Sequence, residues 1–313
     1  MESAVTTPEE LLETSVPPQM RDLDPTRTRR AIVTGGSTGI GRYTAVALAK
    51  DGCDVAFTYA HNEDDAQVTA EAIGRLGRQA FPVRMDLTEP EHAEPAIDEM
   101  VDLLGGLDIY VSNAGTMVQQ RLPDIDLAEM QRLFNINTFG AVLGTQRAVR
   151  HMLQMKADPS EEGTIERAAH TARWLVSGQE VSAKPTPGRI ILITSTHEYI
   201  ASPVDHVYTM TKHALGGFVK CAALEMADYN ITVNAVAPGE VATPINQMGP
   251  EDSLKQSRGG YPSGRPGHPS EIAETVRFIA SDRSFFVNGT SVAVDGGLEI
   301  ATPLAMKAYR AAV

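Results

Sequence analysis

Tyr208 and Lys212 stand four residues apart in an amphipathic stretch from Val207 to Ala227. At helical spacing both project from one face. A phenol ordinarily ionises near ~10. An ammonium one turn away stabilises phenolate and draws that value toward working pH. Such a tyrosine can give a proton to, or take one from, the oxygen of a carbonyl/alcohol pair while hydride moves at carbon. Ser195 follows the apolar run Arg189 to Thr194, and its hydroxyl is placed to hydrogen-bond that same oxygen. Alone, Tyr-x-x-x-Lys arises often by chance, so its weight depends on what accompanies it.

A hydride needs a carrier, and the chain offers a place for one. Thr34-Gly35-Gly36-Ser37-Thr38-Gly39-Ile40-Gly41 follows the first apolar run and leads into a helical pattern. Glycines there let the backbone turn tightly and approach a pyrophosphate, whose charge then sits at a helix N-terminus. The spacing is G-x-x-x-G-x-G, not the commoner G-x-G-x-x-G. The second apolar run ends Phe57-Thr58-Tyr59-Ala60-His61-Asn62, with no acid until Glu63. An acid at that point usually holds the ribose 2′-hydroxyl of an unphosphorylated dinucleotide. Its absence removes a repulsion toward a 2′-phosphate, while Thr58, His61 and Asn62 can donate to one and Arg42 follows the glycine turn. The reading favours NADP(H) over NAD(H). The positive charge of an oxidised nicotinamide would join Lys212 in stabilising a Tyr208 phenolate.

These residues need a frame. Short apolar runs at Ala31 to Thr34, Cys53 to Tyr59, Gln79 to Arg84, Leu107 to Ser112, Arg189 to Thr194, Ile231 to Ala237 and Ser291 to Val294 read as buried strands. Between them lie helical patterns: Gly41 to Lys50, Asp65 to Leu76, Glu91 to Leu104, about Leu127 to Met155, and Val207 to Ala227. The alternation predicts right-handed crossovers and an α/β, doubly wound, Rossmann-like parallel sheet of about seven strands, with helices on both faces. Residues 1–28 read as a flexible extension and 29–313 as one domain with an insertion at about 156–187, taken as a packing or oligomer-contact elaboration.

A net charge of −13 over 313 residues argues against partners rich in phosphate, nucleic acid or an anionic membrane. No apolar stretch reaches the ~18 residues a spanning helix needs, and the first thirty residues lack a secretory h-region, so a cytoplasmic protein is expected. Cys53 and Cys221, far apart in apolar surroundings, read as reduced core residues and not as a disulfide or metal site. No metal is expected.

In order along the chain, Thr34 to Gly41, Asp86-Leu87, Asn113-Ala114-Gly115, Asn137, Ser195, Tyr208 to Lys212, Pro238-Gly239 and Asp295-Gly296-Gly297 resemble the short-chain dehydrogenase/reductase family over about residues 28 to 298. Ser195 also stands thirteen residues before Tyr208, as in that family. The resemblance implies an NAD(P)(H)-dependent oxidoreductase interconverting a small-molecule alcohol and carbonyl, with Tyr208 as general acid/base. It implies a Ser195-Tyr208-Lys212-Asn137 tetrad in which Asn137, with Asn135 a nearby competitor, holds a water relaying protons to Lys212. It also implies that Asp86 and Leu87 meet the adenine, and that Asn113, Ala114 and Gly115 line the groove. Pro238, Gly239, Val241 and Thr243 would cover the nicotinamide, and Lys212 would bond its ribose. A homotetramer, or a dimer, would be built partly from the helices beginning near Leu127 and Asp205.

The chain departs from the family pattern at Ser112, where asparagine is usual, at 156–187, and at Thr196-His197-Glu198-Tyr199, where smaller residues are frequent. His197, Glu198, His206 and Glu240 are candidates for substrate contact or plain surface groups. Ile245 to Pro262 reads as a mobile lid. Two other readings stay open: the same tetrad used for a dehydration or epimerisation with retained cofactor, and a non-catalytic dinucleotide-binding subunit.

Overall fold

The computed structural model describes residues 28–153, 188–259 and 261–301. Its strands are β1 (Arg30–Val33), β2 (Asp54–Tyr59), β3 (Ala80–Arg84), β4 (Ile109–Ser112), β5 (Gly188–Ile193), β6 (Ile231–Pro238) and β7 (Ser291–Val294). They form one parallel sheet in the order β3-β2-β1-β4-β5-β6-β7. The α/β, doubly wound reading holds. Winding reverses between β1 and β4, the switch point at which such sheets open a ligand crevice.

Period-two side-chain alternation divides the core between the sheet's two faces. Ala31 and Val33, Ile109 and Val111, and Ile191 pack toward one face with Leu48, Ile73, Ile272 and Val276. Ile32, Tyr110, Ile190 and Leu192 pack toward the other with Ile97, Met100, Leu215 and Val219. The first face is covered by helices α1 (Gly39–Lys50), α2 (Glu63–Gly74) and, near the C-terminus, α7 (Pro269–Ile279). The second is covered by α3 (Ala93–Leu104), α5 (Gly140–Met152) and α6 (His206–Met226).

The helix expected from Leu127 to about Met155 is not uniform. It runs as α4 (Leu127–Phe134), widens into a π-turn over Asn135–Phe139, and continues as α5. Single π-turns inside helices commonly mark functional positions, and Asn137 sits in this one. Cys53 is buried as expected, but Cys221 is exposed and so is not a core residue. Expectations for residues 1–27 and for the 156–187 insertion lie outside the described residues.

Candidate functional site

A cleft of about 700 Å³ opens at the C-terminal ends of the strands. Its floor is the turn between β1 and α1. Gly35 (φ +65°) and Gly39 (φ +51°) occupy backbone conformations that side chains disfavour, and a Cβ on Gly35 would stand 3.0 Å from the Ala114 Cα. The turn is pinned from three directions. Gly35 N–H donates to Thr58 Oγ1 at 2.8 Å; Asn113 and Ala114 N–H donate to Thr34 Oγ1 at 2.9 and 3.0 Å; Asn113 Nδ2 donates to the Thr34 and Gly35 carbonyls. Thr38, at the N-cap of α1, makes no side-chain capping bond, so its side chain satisfies none of the first amides of that helix. Gly35, Ser37, Thr38, Gly39 and Ile40 line the cleft; Gly41 does not. A Cβ on Gly41 would fall 2.1 Å from the Gly35 carbonyl oxygen. The missing side chain lets α1 pack closely on the turn.

Thr58, Tyr59 and His61, with Asp86 and Leu87, form one end of the cleft. Thr88 donates to Asp86 Oδ1 from its amide and its hydroxyl at 3.0 and 2.8 Å, which holds that carboxyl below its usual range. Two of the groups expected to be free here are engaged. Asn62 caps α2, accepting from Asp65 N–H, and Arg42 pairs with Asp65 at 2.7 Å. Thr58 is buried and committed to the glycine turn.

The opposite end gathers Ser195, Tyr208 and Lys212 with Asn113, Ala114 and Gly115, and with Pro238, Gly239, Val241 and Thr243. Tyr208 and Lys212 lie on α6, and Ser195 lies two residues past β5. Lys212 Nζ is 5.5 Å from the centre of the Tyr208 ring and donates to the Ile193 carbonyl at 3.1 Å. Burial pushes the Tyr208 phenol up to about 12, opposed by a hydrogen bond from Ser195. Burial also lowers Lys212 to about 8, opposed by the nearby negative charge of Glu198. Ser195 Oγ in turn accepts from the His197 amide at 3.2 Å.

Asn137 is buried and is not part of the cleft wall. Its Oδ1 accepts from Thr116 N–H at 2.8 Å, and its Nδ2 donates to the Thr116 carbonyl and to Thr211 Oγ1. It thus ties the π-turn both to the loop segment following Gly115 and to α6. A Cβ on Gly115 would stand 3.3 Å from Asn137 Oδ1 and 3.8 Å from Lys212 Nζ, so the three positions converge. Asn135 instead donates to the Thr88 carbonyl, on the other side.

His197 and Glu240 line the cleft, whereas Glu198 and His206 do not. Glu198 is buried, accepts from Ser291 Oγ at 2.8 Å, and lies where a side chain on Gly216 would clash with it. Glu240 is not a free carboxylate awaiting a cation: Arg258 Nε donates to both its oxygens at 3.0 and 3.1 Å. That pair straps the expected lid, which carries a short helix at Asp252–Lys255. Sequence reasoning missed Gln119, Asp205 and Tyr261, all of which line the cleft. Among the described residues there is no cluster of three or more potential metal ligands.

A cleft floored by a glycine turn and carrying a Ser-Tyr-Lys group, on a doubly wound sheet, defines the class of nicotinamide-dependent oxidoreductases. Two family models match, one described as short chain dehydrogenase over residues 29–165 and one as enoyl-(acyl carrier protein) reductase over 163–299. The chain is 34% identical over 273 residues to the uncharacterized oxidoreductase YohF of Escherichia coli, covering 87% of this chain and 96% of that one. It is 30% identical to an L-rhamnose 1-dehydrogenase (NAD(P)(+)) of a Sphingomonas species, covering 87% and 96%. The crystal structure of acetoin dehydrogenase YohF from Salmonella typhimurium is similar with a TM-score of 0.73 and 36% identity, covering 88% and 98%. The chain belongs to the short-chain dehydrogenase/reductase family and is an NAD(P)-dependent oxidoreductase acting on CH–OH and C=O groups.

Proposed function

We propose that Tyr208 is the general acid/base of this oxidoreductase and that the preferred cofactor is NADP(H). The observation that carries the first part is the convergence of Ser195, Tyr208 and Lys212 at one end of the cleft, beyond the glycine turn. A bound nicotinamide dinucleotide supplies the hydride acceptor or donor at the substrate carbon. In the oxidation direction Tyr208 Oη takes the alcohol proton, and in reduction it returns one to the carbonyl oxygen. Ser195 holds that oxygen. Lys212 places a positive charge beside the phenol, countering the upward push of burial. Asn137 positions Lys212 and the Thr116 backbone, and the expected proton-relaying water belongs beside it.

The preference for NADP(H) is supported by one observation. The end of β2 presents Tyr59, Ala60 and His61 to the cleft and no carboxylate. Arg42 reaches a 2′-phosphate only by exchanging its Asp65 partner. Acetoin and L-rhamnose, in the relatives' names, are small polar molecules, which supports a small polar substrate here. The exposed Leu127, Phe139 and Met210 on α4, the π-turn and α6 support a homo-oligomer built on those helices. No helix among the described residues is long and apolar enough to cross a membrane, and a cytoplasmic enzyme is the reading consistent with it.

The test is Tyr208→Phe, measured beside wild type with NADPH and NADH. The expected result is cofactor affinity kept within about threefold and turnover reduced ~10²-fold or more. Turnover retained by the variant would overturn the assignment, and tighter binding of NADH than NADPH would overturn the cofactor preference.

A further inference from the structure

We propose that Asp205, steadied by Gln119, is a subsite for a hydroxyl on the carbon next to the reacting one. The substrates are then vicinal diols and their α-hydroxy carbonyl counterparts. The inference rests on the oxidoreductase reading above.

Asp205 is the N-cap residue of α6, three residues before Tyr208. An aspartate at such a position normally accepts from an amide of the first helical turn, yet this one makes no side-chain capping bond. Its carboxylate is instead engaged by Gln119, whose Nε2 donates to Oδ1 at 3.1 Å. Among the described residues, Oδ2 has no hydrogen-bond partner, although Asp205 is only 4% exposed and lines the cleft. Oδ2 is therefore open to the cleft, where a ligand hydroxyl can donate to it in place of water.

The backbone beside Asp205 is strained. Val204, just before it, has φ +68°, a conformation that a β-branched residue rarely adopts. The Gln120 amide holds it there, donating to the Val204 carbonyl at 2.8 Å. Strained residues of this kind cluster at binding positions.

The other charged groups of the cleft wall leave this role to Asp205. Arg132 is bound by Glu129 and Glu240 by Arg258, and Asp86 lies at the far end with its Thr88 donors. Tyr208 and Asp205, one turn apart, suit two oxygens on neighbouring carbons, one to each side chain. His197, whose Nδ1 is held at 3.0 Å by Thr209 Oγ1, completes that wall. A carboxylate here also disfavours anionic substrates such as 2-keto acids.

The experiment compares kcat/KM for butane-2,3-diol, butan-2-ol and 3-aminobutan-2-ol in wild type, Asp205→Ala and Gln119→Leu, with saturating NADP⁺ or NAD⁺. Wild type is expected to favour the diol over butan-2-ol by ~10- to 100-fold, the size of a charge-assisted hydrogen bond in a closed site. Asp205→Ala should shrink that ratio ~10-fold or more, chiefly through KM for the diol. Gln119→Leu should shrink it severalfold, and it reads the subsite should Asp205→Ala fail to fold. An unchanged ratio in both variants, with both alcohols slowed together, would show a merely structural role and overturn the proposal. So would equal use of diol and butan-2-ol by wild type, or a clear preference for the amino alcohol. Turnover of none of the alcohols, with dinucleotide still bound, would bring down the oxidoreductase reading itself and this inference with it.

Discussion

Replacing Lys212 by methionine should make the protein more stable while ending its chemistry. Lys212 is buried and donates one hydrogen bond, to the Ile193 carbonyl. Burial lowers its pKa from 10.5 to about 8. At about 1.4 kcal/mol for each tenfold change in proton affinity, keeping the ammonium charged in the folded state at pH 7 costs about 3 kcal/mol. Methionine has a similar length and no charge, so Lys212→Met removes that cost. It also leaves the Ile193 carbonyl without its donor, a loss of about 1 kcal/mol. The balance is a gain of about 2 kcal/mol for the cofactor-free protein near neutral pH.

The sign has a second consequence. Because the folded pKa lies below the unfolded one, the unfolded chain holds a proton between pH ~8 and ~10.5 that the folded chain has released. Wild-type stability therefore receives a rising contribution across that window, whereas below it the penalty is felt in full. Urea unfolding of wild type and variant without cofactor, from pH 7 to 10, measures both effects. The two curves should converge as pH rises. A variant no more stable at pH 7, with a pH slope identical to wild type, would refute the desolvation argument. Turnover should fall ~10²-fold or more in the same variant.

Gly41→Ala places a methyl 2.1 Å from the Gly35 carbonyl oxygen and should cost about 3 kcal/mol by denaturant unfolding. Gly74→Ala at the end of α2, with nothing within 4 Å of the added atom, should be neutral or stabilise by about 0.5 kcal/mol. Glu240→Gln weakens the paired hydrogen bonds from Arg258 and should raise KM severalfold. Limited proteolysis should then cut faster between residues 249 and 259, and an unchanged cleavage rate would show that the pair does not hold that segment.

The seven strands were legible because buried parallel strands are short apolar runs, and six crossovers leave little choice of topology. The cleft residues were legible because the glycine turn, Asn113 to Gly115 and the Tyr208/Lys212 pair have types and spacings set by local backbone chemistry. What escaped was set by tertiary contact. Arg42 reads as a free cation in one dimension, but Asp65 meets it from the next helix. Glu240 reads as an unpaired acid until Arg258 is brought over it. Gly41 resembles its neighbours in the motif, and only the position of its missing Cβ shows how closely α1 packs on the turn. Asp205 is the clearest case: an aspartate opening a helix reads as a cap, and nothing local reveals that its side chain makes no cap bond and lines the cleft.

The bond from Lys212 to the Ile193 carbonyl joins α6 to the strand that leads into Ser195. The three reactive side chains consequently ride on one rigid body made of a central strand and a core helix. Residues 116–120, 197–205 and 244–259 shape the rest of the cleft and are tied to the scaffold by side-chain bonds such as His197 to Thr209 and Arg258 to Glu240. Mutations in these loops can be sampled over evolutionary time without disturbing proton transfer. A gene copy can thus acquire a new substrate by small steps, each still encoding a working redox catalyst.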